Sequence, residues 1–176
     1  MQIRWPVAVL ALFVSLFVLF GGYFGFQWFQ TEKPIRETVQ QTAHVKLEKM
    51  DVAPDRITIQ LRPDAQFSLI SDYIPLRKTI LTHGGSRKVE IRLSDRPDAT
   101  LTEAWNRMVF GIREGIAHGR FTMIPKTVKQ VAEREGIQYR LGMDKNFVYV
   151  ELHRGDHYLY QILPLSQPER EVKDHG

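Results

Sequence analysis

The chain contains no cysteine. That excludes a disulfide-stapled scaffold, a thiol nucleophile, a Cys-ligated metal centre and a lipid-modified cysteine anchor. Catalytic signatures are missing too. No G-x-S-x-G elbow, H-E-x-x-H pair, P-loop or G-x-G-x-x-G turn occurs, so nucleophilic, zinc-peptidase and nucleotide chemistries lose their usual sequence marks. Neither Asn106 nor Asn146 begins an N-x-[ST] sequon. The 176 residues are also too few for a TIM barrel or a two-domain dinucleotide enzyme.

Charge is missing from one region in particular: residues 5–29 carry none. The stretch is apolar from Val7 to Phe20 apart from Ser15, with Trp5, Tyr23, Phe24, Phe26, Trp28 and Phe29 at its ends. A bilayer core takes about 20 helical residues, and aromatic side chains gather at its interfaces. The expectation is a transmembrane signal anchor over residues 1–29, uncleaved because bulky aromatics stand where a signal peptidase needs small residues. Arg4 on one flank and Lys33 with Arg36 on the other leave the charges nearly balanced. An anchor this close to the N-terminus puts the N-terminus in the cytoplasm and the domain outside it, in a bacterial cell envelope.

The rest of the chain holds 23 Lys and Arg against 20 Asp and Glu, a net of +3. Residues 30–42 read as a juxtamembrane linker or a short helix, with Ile35 and Val39 at helical spacing. Period-2 alternation then predicts two strands around Ala53-Pro54-Asp55, at Val45–Val52 and at Ile57–Leu61. A helix follows from Pro63-Asp64, with Phe67, Ile70, Ile74 and Leu81 on its inner face and a kink at Pro75. Val89, Ile91 and Leu93 make a third strand. Thr100 and Glu103 fit a capping box opening a helix that buries Leu101, Trp105, Met108, Val109, Ile112 and Ile116. A further helix covers Ile124–Glu135, capped by Gly136. Three strands close the chain: Ile137–Leu141, Phe147–His153 and Tyr158–Leu163. Residues 43–164 are thus one α+β domain of order β-β-α-β-α-α-β-β-β, a mainly antiparallel sheet with helices on one face. Residues 165–176 are a polar tail. The order β-α-α-β-β over residues 87–163 resembles, in topology and without a sequence motif, that of the POTRA modules of membrane assembly machines.

A two-residue turn at Gly155-Asp156 sets Leu152 opposite Leu159, Val150 opposite Gln161 and Val148 opposite Leu163. That aliphatic face should meet the helices. The opposite face then carries Phe147, Tyr149, Glu151, His153, Tyr158 and Tyr160, an aromatic stripe that is either covered by the juxtamembrane segment or first hairpin or exposed for contact with a partner or with another copy of the chain. His153 and His157 fall on opposite faces, so the histidines and carboxylates near this turn do not make a metal site. Asp95 and Asp98 precede a helix and complement its N-terminus. The sequence pI of about 9.4 reflects interleaved charges without an aromatic stacking platform, which does not describe a nucleic-acid surface. Cofactor and small-molecule substrate are not indicated. The functional expectation is a non-enzymatic, membrane-anchored protein-interaction or assembly module, in contact with lipid through residues 5–29 and with other envelope proteins. Two alternatives stand beside it: an accessory subunit of a membrane-bound ATPase or protease, and an anchored ligand-binding or hydrolytic domain using Glu151 and His153.

Overall fold

A computed structural model describes residues 5–27 and 31–166, and within the first helix the side chains of residues 9–22. The element order is α1 (Trp5–Gln27), α2 (Lys33–Gln41), β1 (Val45–Val52), β2 (Arg56–Pro63), α3 (Ile74–Gly84), β3 (Lys88–Leu93), α4 (Ala99–Ala117), α5 (Met123–Glu135), β4 (Gln138–Met143), β5 (Phe147–Arg154) and β6 (His157–Pro164).

Among the described residues no helix is long and apolar enough to cross a membrane. This overturns the expected spanning helix over residues 1–29. With it go the single-pass assignment, the orientation and the extracytoplasmic placement of the domain. Trp28 and Phe29, and the tail from residue 167 onward, lie outside the described residues.

The α+β class stands, but the single sheet does not. There are two three-stranded sheets, ordered β1-β2-β3 and β4-β5-β6. β1 and β2 form the expected antiparallel hairpin. β3, however, lies parallel to β2, with Ile57 opposite Val89 and Leu61 opposite Leu93. Helix α3 supplies the crossover that a parallel pair requires. Because β3 belongs to the first sheet, the β-α-α-β-β run over residues 87–163 does not assemble as one POTRA-like sheet.

Alternation fixes the first sheet's faces. Ile57, Ile59 and Leu61 are fully buried, while Arg62 and Glu48 pair outside. Residues Ile35 and Val39 seal α2 onto this core, so Lys33–Gln41 is a docked helix. The next helix differs from its expected phase. Residues Leu69–Tyr73 form a π-helical turn, and α3 follows with Pro75 at its start, where a missing N–H is tolerated. The wider turn rotates everything after it. Leu69, Tyr73, Leu76 and Ile80 therefore point inward, and Ile70 and Leu81 are exposed.

Helix α4 is capped by Asp98, whose carboxylate accepts the Leu101 N–H at 2.8 Å; the Thr100 and Glu103 capping box does not form. Helices α4 and α5 pack closely where Gly115 meets Ile124, since a Cβ there would lie 2.9 Å from the isoleucine side chain. Gly155, at φ 58°, takes the left-handed conformation that closes the last hairpin. The register is the one this turn dictates, with Leu152 opposite Leu159 and Val148 opposite Leu163. Those side chains join Leu101, Met108, Ile112 and Val128 in a second core.

Candidate functional site

The aromatic face of the second sheet is not open to solvent. Tyr149, Glu151 and Tyr160 are buried, and Phe147, His153 and Tyr158 are half-buried. The first half of the chain lies over them, so of the two expectations the covered face is the one observed, and the stripe is not an exposed contact surface. The cover is the chain from Pro63 to Tyr73. Its backbone takes the tyrosine hydroxyls: Tyr158 donates to the Pro63 carbonyl at 3.1 Å, and Tyr160 is shared between Phe67 at 3.3 Å and Asp64 at 3.4 Å. Phe67 meets the Tyr160 ring edge-on at 5.7 Å, and Tyr73 meets Tyr149 at 6.4 Å. The Arg77 guanidinium lies 4.6 Å from the centre of the Phe147 ring.

Glu151 is the one fully buried charged residue among those described. One carboxylate oxygen accepts the Leu69 N–H at 2.7 Å and the Ser68 hydroxyl at 3.1 Å. The other faces Arg140 at 3.4 Å and His153 Nε2 at 3.8 Å. The histidine distance is too long for a hydrogen bond, and this buried nitrogen has no hydrogen-bond partner among the described residues. Burial alone would push the Glu151 carboxyl up; His153, the Leu69 N–H, Ser68 and Arg140 together outweigh it and hold it below its usual range.

The Ser68, Glu151 and His153 trio superficially resembles a hydrolytic set, but its geometry is that of a clamp. The Ser68 hydroxyl donates to Glu151 while its lone pairs accept the N–H groups of Ile70 and Ser71, both at 3.3 Å. A nucleophile needs a base for its proton and an open approach for an electrophile. This oxygen has its lone pairs occupied as a helix cap, and the carboxylate beside it has no exposure. Among the described residues no group of three or more His, Asp or Glu converges on a metal position. The Arg154-Gly155-Asp156 turn is tied down as well, because Arg154 pairs with Asp98 at 3.0 Å and donates to Thr100 at 2.9 Å.

Asp95 accepts the Tyr160 N–H at 3.2 Å. Burial pushes its carboxyl up to about 6 from 3.8. A raised folded-state value makes the stabilising contribution complete below about pH 4 and loses it as pH rises through about 6. Asp95→Asn, which keeps an acceptor for Tyr160, should add about 2 kcal/mol near pH 8 after allowance for partial solvent screening, and almost nothing near pH 3.5. Urea melts at the two pH values check this; an equal gain at both would mean the carboxyl is well hydrated.

The open feature lies elsewhere. A groove of about 870 Å³ runs between α4 and the outer edge of β6. Trp105, Val109 and Ile116 form its helical wall, Leu163 and Leu165 its strand wall, and Arg113 stands on its rim. Reading the helix alone assigned Trp105, Val109 and Ile116 to the core. In the fold Leu101, Ala104, Met108, Ile112 and Gly115 are the buried stripe, and the bulkier trio lies one position further round. The signal was present: the apolar arc of α4 is wider than one three-stranded sheet can cover. No family model, curated protein or solved structure matches the chain.

Proposed function

We propose that the α+β domain is a non-enzymatic protein-interaction module whose docking site is the groove between α4 and β6. The observation that carries this reading is an apolar groove lying along a strand edge that, beyond Tyr158, no other strand pairs among the described residues. The second sheet ends at β6, and only its beginning is occupied, by the bridge between Tyr158 and Arg96. Concave apolar walls with a few polar groups at the rim are how recognition sites are commonly built. The aromatic face is spent on joining the two halves and contributes nothing to binding.

A photo-reactive side chain placed at Arg113 tests this in cells. It should give a discrete adduct that Trp105→Ser abolishes, while the same group at Gln60, on the outer face of the first sheet, should not. Adducts of equal yield at both positions, or none at Arg113, would count against the groove. Trp105→Ser should remain folded, because Trp105 is only half-buried.

A further inference from the structure

We infer, building on that reading, that the groove takes an extended peptide bearing an acidic side chain, which adds to β6 as a further strand. Antiparallel pairs alternate between residues that bond each other and residues whose backbone groups point away. The Leu165 N–H bonds to Asn146 at 2.8 Å, and the Tyr158 N–H and C=O both go to Arg96 at 3.1 Å. Counting in twos from these fixed points, Tyr158, Tyr160, Ile162 and Pro164 turn their backbone groups outward. Arg96 uses those of Tyr158, and the Asp95 carboxylate takes the Tyr160 N–H. The chain then turns away into β3. The Tyr160 C=O, the Ile162 N–H and C=O and the Pro164 C=O are left without partners among the described residues.

That set of three acceptors and one donor selects its occupant. A peptide backbone can supply N–H donors to the free carbonyls and a carbonyl to Ile162, while its alternate side chains enter the groove beside Trp105 and Val109. A second copy of the chain fits poorly. Twofold pairing about Ile162 would make two hydrogen bonds, and the next pair would join Tyr160, whose N–H is taken, to Pro164, which has none. The residues after Ser166 contain one aliphatic side chain, Val172, a weak filling for these walls. On the rim, Arg113 is exposed and makes no ion pair among the described residues. Its guanidinium favours a carboxylate in bidentate geometry.

The probe is a displayed random-peptide library panned on the full chain, with enriched sequences synthesised and their affinities measured by fluorescence anisotropy. Enriched peptides should share an acidic residue and an apolar residue at strand spacing. N-methylation of single peptide amides should weaken binding tenfold or more at alternate positions only. Arg113→Glu should cost a similar factor for acidic peptides and reverse the preference toward basic ones, and its exposed position leaves the fold intact. No enrichment, or binding indifferent to N-methylation, overturns strand addition. Indifference to Arg113→Glu overturns the acidic assignment. Binding that appears only after residues 167–176 are removed makes the chain's own tail the occupant, and a dimer that peptide cannot dissociate makes it a second copy; either result overturns the inference. A groove-specific photo-adduct without peptide binding would leave the interaction module standing and remove only this extension.

Discussion

Replacing Glu151 with Ala is expected to cost the fold about 3–5 kcal/mol. The side chain is fully buried and accepts hydrogen bonds from three partners at once. Its removal leaves the Leu69 N–H and the Ser68 hydroxyl without their acceptor in a place water does not easily reach, while the exposed Arg140 guanidinium turns to solvent. The loss falls on the junction between the two sheets, since Ser68 and Leu69 belong to one half and Glu151 to the other. Differential scanning calorimetry should show the main transition lowered or divided, the second sheet with α4 and α5 melting apart from the first. A variant melting within a degree or two of the parent would mean that the carboxylate is hydrated. The acid limb of stability should shrink with it. The folded-state carboxyl is held below its ordinary value of 4.5, so its contribution is present above that value and lost as pH falls further.

Tyr149→Ser combined with Tyr160→Ser should leave little folded protein. Tyr149 is 1% exposed and Tyr160 is 5% exposed. Truncating a buried aromatic typically costs about 3–5 kcal/mol, and a domain is typically stable by only about 5–15 kcal/mol. Each hydroxyl also leaves an acceptor behind: Asp144 at 2.7 Å from Tyr149, and the Phe67 and Asp64 carbonyls near Tyr160. Both rings belong to one core cluster with Phe67 and Tyr73, so the losses are not strictly additive. Near-ultraviolet circular dichroism of the double variant should lose its aromatic signature. A cooperative melt close to that of the parent would place these rings outside the core.

Much of the second half was legible in the sequence because its signals are local. The Gly155-Asp156 turn fixes the register of β5 and β6, and Gly136 marks the end of α5. The faces of the second sheet follow from period-2 alternation once that register is set. What alternation could not reveal was the cover. Tyr149, Glu151 and Tyr160 look like an exposed recognition surface until Pro63, Phe67 and Ser68 are known to lie above them, and those residues are more than 80 positions away. The parallel pairing of β2 with β3 was hidden for the same reason. A crossover helix can return its strand to either sheet, and nothing in Val89, Ile91 or Leu93 says which. The phase of α3 was lost to a single π-helical turn, which no periodicity rule anticipates. Among the groove residues, Trp105 does pack against the second core as its spacing suggests, but only partly buried, and nothing in the spacing shows that its other side lines a groove.

The clamp between Ser68 and Glu151 spans 83 residues of chain, and the hydroxyl contacts of Tyr158 and Tyr160 span more than 90. Such distances set an order of assembly. Helices α4 and α5 and the last two hairpins close through contacts between near neighbours, the kind that form early and fast. The first sheet has no lid for Phe67 and Leu69 until β6 exists. During synthesis those side chains leave the ribosome some 90 residues before the strand that shelters them. The nascent chain is therefore expected to carry an apolar patch from Phe67 onward until Tyr160 has been made, and the long-range docking of the C-terminal half onto the N-terminal half is the step its topology leads one to expect last.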